Sequence, residues 1–255
     1  MPGRFARRVA IVTGGAAGIG LATAKAYVAE GADVAIVDIN AAAVREAAGE
    51  LGVHGVVADL TDEEAVADMV DQVVARFGAV DVLVNLAGAY GQRPTLEEQT
   101  LAGLRHALAT NLESAFLCCQ KVAPHMRAQG YGRIVTTASG TFHNPQPGLS
   151  AYVAAKGGTI GMTRVLAKEL GPHGITINII MPGLIATEHV LTMVGDTAEA
   201  RATVDGFFER TLEHQSIKRR GLPEDLAHGI LFLTEEASGF ITGQTLQFDG
   251  GSTFT

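Results

Sequence analysis

This chain has no tryptophan, only two cysteines, and few aromatic residues, 5% in all. The cysteines, Cys118 and Cys119, are adjacent, which is poor geometry for a disulfide and too few ligands for a zinc site. A disulfide-stapled secreted scaffold is therefore excluded. The pair fits a reducing compartment, filling a helix interface as small apolar groups. The histidines show neither HxxxH nor HExxH spacing, so no metal site is expected. Basic residues are in the minority, 19 Lys and Arg against 27 Asp and Glu, for a net charge of -8. That balance argues against a nucleic-acid partner. A short KRR run at 218–220 reads as a solvated turn. No apolar run approaches the roughly 20 residues needed to span a bilayer, and the run after Arg8 is too short for a signal-peptide core. A soluble, cytoplasmic protein is expected.

What is present is apolar residue in quantity, 47%, with 31 glycines. The apolar runs VAIVT (9–13), DVAIVD (33–38), GVVA (55–58), VDVLVN (80–85), RIVTTAS (133–139), ITINIIM (175–181) and TLQF (245–248) are rich in Val and Ile. They are continuous rather than alternating, as strands covered on both faces must be. Helical periodicity fills the segments between them, including one long stretch from about 97 to 129. Alternating strand and helix predicts an α/β fold. The expected architecture is one domain over 1–255, a Rossmann-type doubly wound sheet of seven parallel strands with helices on both faces. The stretch from 184 to about 220 breaks this rhythm. It reads as two short helices inserted before the last βα unit, placed to cover a substrate.

The first strand runs directly into TGGAAGIG at 13–20, with Gly14, Gly18 and Gly20 spaced GxxxGxG and Ile19 between the last two. A strand, a glycine turn and a helix together offer free N–H groups and a positive dipole end to a phosphate. The second strand ends in Asp38. A carboxylate there accepts from the ribose hydroxyls of an adenosine and repels a 2′-phosphate. Neither Ala17 nor Ile39 supplies a compensating cation, so the cofactor expected is NAD. In SAYVAAKGG (150–158), Tyr152 and Lys156 fall one helical turn apart, on one face, with only small residues between them. Tyr90, His143, Asn144 and Leu184 lie on loops near the expected site and are candidates to touch substrate.

Taken together, the glycine turn, Asp59 after the third strand, NLAG at 85–88, Asn111, Ser139, YVAAK at 152–156 and MPG at 181–183 resemble the short-chain dehydrogenase/reductase family, in its tetrad-bearing branch. The resemblance covers essentially the whole chain, with the motifs in family order. It implies that Tyr152 is the general acid/base and that Lys156 holds the nicotinamide ribose and lowers the tyrosine pKa. Ser139 then orients the substrate oxygen, and Asn111 interrupts its helix and positions a water. It implies that Asp59 and Leu60 flank the adenine and that Asn85, Ala87 and Gly88 line the adenosine side. Pro182, Gly183, Ile185 and Thr187 would border the nicotinamide. Leu86 stands where the family commonly has Asn. A homotetramer is the implied assembly, with a dimer as the alternative.

The reading is an NAD-dependent oxidoreductase passing a hydride between cofactor and a small secondary alcohol or ketone, leaning towards alcohol oxidation. A reductase of 3-oxoacyl thioesters, and a binding protein that senses NAD(H) without chemistry, are the competing readings.

Overall fold

In the computed structural model, which describes residues 3–254 other than 193 and 196, strands and helices alternate along the chain. The first half builds β1 (Val9–Thr13), α1 (Gly18–Ala29), β2 (Asp33–Asp38), α2 (Ala41–Leu51), β3 (His54–Val57), α3 (Glu63–Phe77) and β4 (Val82–Asn85). There follow α4 (Leu101–Leu108), α5 (Ser114–Gln129), β5 (Gly132–Thr137), α6 (Ser150–Leu170) and β6 (Ile175–Pro182). The chain ends through α7 (Glu188–Thr192), α8 (Ala198–His214), α9 (Pro223–Thr234) and β7 (Thr245–Phe248). One seven-stranded sheet has the order β3-β2-β1-β4-β5-β6-β7, every pairing parallel.

The continuous apolar runs split by period two. Val9, Ile11, Ala35 and Val37 face one core with Met69, Val73, Cys118, Val122 and Met126 of α3 and α5. Ala10, Val12, Val34 and Ile36 face the other, with Ala24 and Tyr27 of α1 and Leu226 and Ile230 of α9. The inner strands β1, β2, β4, β5 and β6 thus bury both faces, which is why no polar alternation appears in their runs. The edge strands β3 and β7 are only partly covered, with Val57 and Leu246 exposed. The chain grows outward from β1 in one direction and from β4 in the other. The crevice between β1 and β4 is the switch point where such sheets bind ligands.

Three local expectations are corrected. The long helical stretch begins at Leu101 and is divided by a π-turn, Ala109–Glu113, because the buried Asn111 inserts its own side chain into the backbone ladder. The insertion is not two short helices: α7 has 5 residues, but α8 has 17 and is anchored by buried Val204 and Phe208. The KRR run is not a free turn. Lys218 donates to the last carbonyls of α8, Leu212 at 2.7 Å and Glu213 at 3.1 Å. Arg219 grips Asp225 and Arg220 grips Asp205, each at 2.6 Å, so the run bolts the end of the insertion to α8 and α9. Among the described residues, no helix is long and apolar enough to cross a membrane.

Candidate active site

At the tip of β1, Gly14 has φ +64°, a left-handed conformation that L side chains rarely adopt. A Cβ there would also stand 3.0 Å from the Ala87 nitrogen. A Cβ on Gly20 would fall on the Gly14 carbonyl oxygen. The turn therefore closes only with glycine at both positions. Thr13 joins it to β4, its hydroxyl accepting from the N–H of Leu86 at 3.1 Å and of Ala87 at 3.2 Å. Leu86 keeps that backbone bond and packs its side chain towards the α1 and α9 core, so the departure from Asn alters packing behind the turn. Gly20→Ala is expected to destabilise the fold by about 1–3 kcal/mol through overpacking, read as a lower urea midpoint. An unchanged midpoint contradicts the closure described.

Helix α1 opens on Ala17 without a side-chain cap and with no acidic residue in its first turn. Its N-terminal N–H groups and dipole are available to an anion. Asp38 ends β2, accepting from the Asn40 N–H at 3.1 Å, and it makes no ion pair among the described residues. Beside it, Ile39 is 66% exposed, an apolar surface next to the carboxylate. Asp59 is tied to Thr61, whose N–H and hydroxyl lie 2.9 and 2.7 Å from its Oδ1 and hold the carboxyl below its usual range. Leu60 is buried in the core. The glycine cradle, the uncapped helix and the carboxylate at the tip of β2 fit a dinucleotide.

The far wall is the end of β6. Gly183 donates to Phe248 at 2.9 Å, Ile185 bridges to Gly221, and Thr187 caps α7 by accepting from the Val190 N–H at 3.2 Å. Thr187 also reaches the glycine turn, with its methyl 3.3 Å from where a Cβ on Gly18 would sit. Ile19 follows in the first turn of α1, and Pro182 ends β6.

Between these walls stand the four candidate catalytic residues. Tyr152 lies in the first turn of α6 and Lys156 one turn on, as their spacing requires. Lys156 is 4% exposed, and its Nζ donates to the Thr137 carbonyl at 3.1 Å. Burial holds its pKa down, to about 8. Burial pushes the Tyr152 phenol up to about 12; the Ser139 hydroxyl pulls it down and neighbouring Tyr90 pushes it further up. Loss of solvent sets this direction, and the Lys156 ammonium lies 5.8 Å from the ring centre. Ser139 accepts at 2.9 Å from the Thr141 hydroxyl. Asn111 Nδ2 donates to the Ala89 and Ala107 carbonyls at 3.0 and 3.1 Å, replacing the helical bonds lost at the π-turn. A Cβ on Gly88 would lie 2.7 Å from Asn111 Oδ1 and 3.4 Å from Lys156 Nζ. Asn85 is buried, and its Oδ1 has no partner among the described residues. The small residues after Lys156 receive protein: Phe142 fits against Gly157 and Leu112 against Gly158.

The candidate substrate residues divide. The Tyr90 ring lies against Tyr152, centroids 4.6 Å apart. His143 and Asn144 are exposed on the turn after Ser139, His143 touching Phe142. Leu184 lines a cavity of about 460 Å³ with Ile217, Phe248 and Phe254, beside the insertion. Sequence reasoning missed Thr13, Thr137 and Thr141. Thr137 acts through its carbonyl, which leaves no trace in residue type. The Ser-x-Thr of Ser139 and Thr141 is the signal that was available.

A family profile described as Enoyl-(Acyl carrier protein) reductase matches residues 14–253. A probable galactose dehydrogenase of Rhizobium meliloti (strain 1021) is 41% identical over 250 residues, covering 96% of this chain and 94% of that one. Cis-4-hydroxycyclohexanecarboxylate dehydrogenase of Sinomonas cyclohexanicum is 38% identical over 253 residues, covering 98% of each. The crystal structure of levodione reductase superposes with a TM-score of 0.89 at 32% identity, covering 97% of this chain and 98% of that one. The chain belongs to the short-chain dehydrogenase/reductase family and is an oxidoreductase of CH–OH groups that uses a nicotinamide cofactor.

Proposed function

We propose that this protein is an NAD-dependent dehydrogenase of a small secondary alcohol, with a ring hydroxyl as the substrate class. The observation that carries the reading is Tyr152 beside Ser139, one turn before a buried Lys156, at the crevice between β1 and β4. The relative named for a hydroxycyclohexanecarboxylate supports the substrate class. NAD in place of NADP rests on Asp38 and the absence of a cation paired with it among the described residues.

The bound nicotinamide supplies the acceptor for the hydride that leaves the carbinol carbon. The protein handles the proton. Ser139 holds the substrate oxygen, and the Tyr152 phenolate accepts the hydroxyl proton as the C–O bond becomes C=O. Lys156, fixed by the Thr137 carbonyl at 3.1 Å, would hold the cofactor ribose and favour the phenolate by its charge. Asn111 holds the backbone at Ala89 and keeps the floor of the site in place. Residues 1–255 work as one catalytic domain, and the segment 184–220 covers the substrate. Assembly is a homotetramer, supported by the free edge of β7 and by Phe232, Phe240 and Leu246, all exposed beside it. The two buried free thiols support a cytoplasmic location.

The test is a fluorescence titration with NADH and with NADPH. NADH is expected to bind at least tenfold tighter, about 1.4 kcal/mol, and Asp38→Asn is expected to close most of that gap. Equal or tighter binding of NADPH by the unaltered protein overturns the cofactor assignment and brings the thioester-reductase reading forward.

A further inference from the structure

The loop between β4 and α4 carries a cation that the chemistry above does not use. Arg93 sits beside Tyr90, its guanidinium carbon 5.3 Å from the ring centre. The Tyr90 ring in turn lies 4.6 Å from that of Tyr152, tilted by 43°. The guanidinium is thus one aromatic ring removed from the proton acceptor. Arg93 is exposed, and its base abuts the loop before α6: a Cβ on Gly148 would come within 2.8 Å of Arg93 Cβ and 2.9 Å of its carbonyl oxygen. Its head is not neutralised. Arg93 forms no ion pair among the described residues, in a chain where acids outnumber bases by 27 to 19. Glu98, five residues further along the chain, is held by the Thr95 N–H at 2.9 Å and the Thr95 hydroxyl at 3.0 Å. The guanidinium hydrogen-bonds the Tyr90 hydroxyl. Arginine carries five N–H donors in a planar fork that matches a carboxylate, so one bond to a phenol leaves donors for a ligand.

We infer that Arg93 is a specificity determinant that receives a carboxylate on the substrate, across the ring from the hydroxyl that Tyr152 deprotonates. The inference rests on the reading of Tyr152 as proton acceptor, and it narrows the substrate to a hydroxylated ring acid. Tyr90 is the spacer: its ring bridges the two functional ends and sets the distance between them.

The experiment is calorimetric titration of cyclohexanecarboxylate and of cyclohexanol, each into NADH-saturated protein, using the unaltered chain, Arg93→Gln and Arg93→Lys. Alcohol oxidation is measured in parallel with NAD and cis-4-hydroxycyclohexanecarboxylate. The carboxylate is expected to lose at least about tenfold more affinity than the alcohol in Arg93→Gln, with Arg93→Lys between the two. Its binding to the unaltered protein is expected to weaken as salt rises. No carboxylate binding to the unaltered protein, or equal losses for the two ligands, overturns the inference whatever the oxidation assay shows. Arg93-dependent carboxylate binding without oxidation sustains Arg93 as an anion receiver and counts against the oxidation reading.

Discussion

Tyr152→Phe is expected to lower kcat for alcohol oxidation by about 10²- to 10⁴-fold, the usual worth of one positioned proton acceptor. The ring stays, so its packing against Tyr90 at 4.6 Å is retained and the fold is preserved. NADH titration should show binding close to that of the unaltered protein. A pH dependence accompanies this. Burial raises the phenol to about 12, so the phenolate that oxidation needs is scarce at neutrality. kcat/KM for oxidation should therefore climb as pH rises above neutrality, with a positive charge bound nearby drawing the climb to lower pH. If Tyr152→Phe oxidises alcohol at more than a tenth of the normal rate, another group takes the proton. The reading of the chain as a binding protein that senses NAD(H) would gain if the variant also kept its biological activity.

Lys156→Met is expected to lower kcat/KM by at least about 10²-fold, on the scale of removing one preorganised charge from a site, and to make the protein more stable. The lysine is buried, with its pKa held down to about 8, against about 10.4 in an unfolded chain. Its folded value lies below its unfolded value. Above the unfolded value neither state carries the proton, and the folded state bears no penalty. As pH falls from about 10.4 to 8, the unfolded chain takes up the proton first and folding is progressively disfavoured. Below 8 the full penalty is present, about 3 kcal/mol at 1.36 kcal/mol per unit. Methionine removes it but forfeits the charged bond to the Thr137 carbonyl at 3.1 Å, worth about 1.5–3 kcal/mol. A net gain of up to about 1.5 kcal/mol remains, or up to a few degrees in Tm for a chain of this size. The comparison is urea unfolding of both proteins without cofactor at pH 7 and at pH 10. The advantage of the variant should be largest at pH 7 and shrink at pH 10. A variant less stable than the original at pH 7 would show that the ammonium is stabilised by its surroundings.

Together the two substitutions separate the duties of α6. On the proposed mechanism the tyrosine carries the proton at little cost to the fold, and the lysine is a buried charge kept for its effect on chemistry, at the expense of stability.

The strand runs, the glycine turn and Tyr152 with Lys156 were legible in the sequence because each is a local pattern. A strand buried on both faces needs continuous Val and Ile. A phosphate-binding turn needs glycine where a Cβ would strike backbone, as at Gly14 and Gly20. A catalytic pair on one helix face needs the spacing of one turn. The apposition of Ser139 to Tyr152 was reached only through the family resemblance, and that of Thr187 to the glycine turn and of Arg93 to Tyr90 was not legible, because each joins segments that only the sheet order and loop packing bring together. The KRR run shows the same limit. Its composition suits a solvated turn, and only the positions of Asp205 and Asp225 turn it into a clamp. Local sequence thus determined the strands, the glycine turn and the residue types of the proposed catalytic pair. The direction of the Tyr152 shift was decided by tertiary structure alone, because burial is the sum of everything packed around a group and no spacing in the chain encodes it.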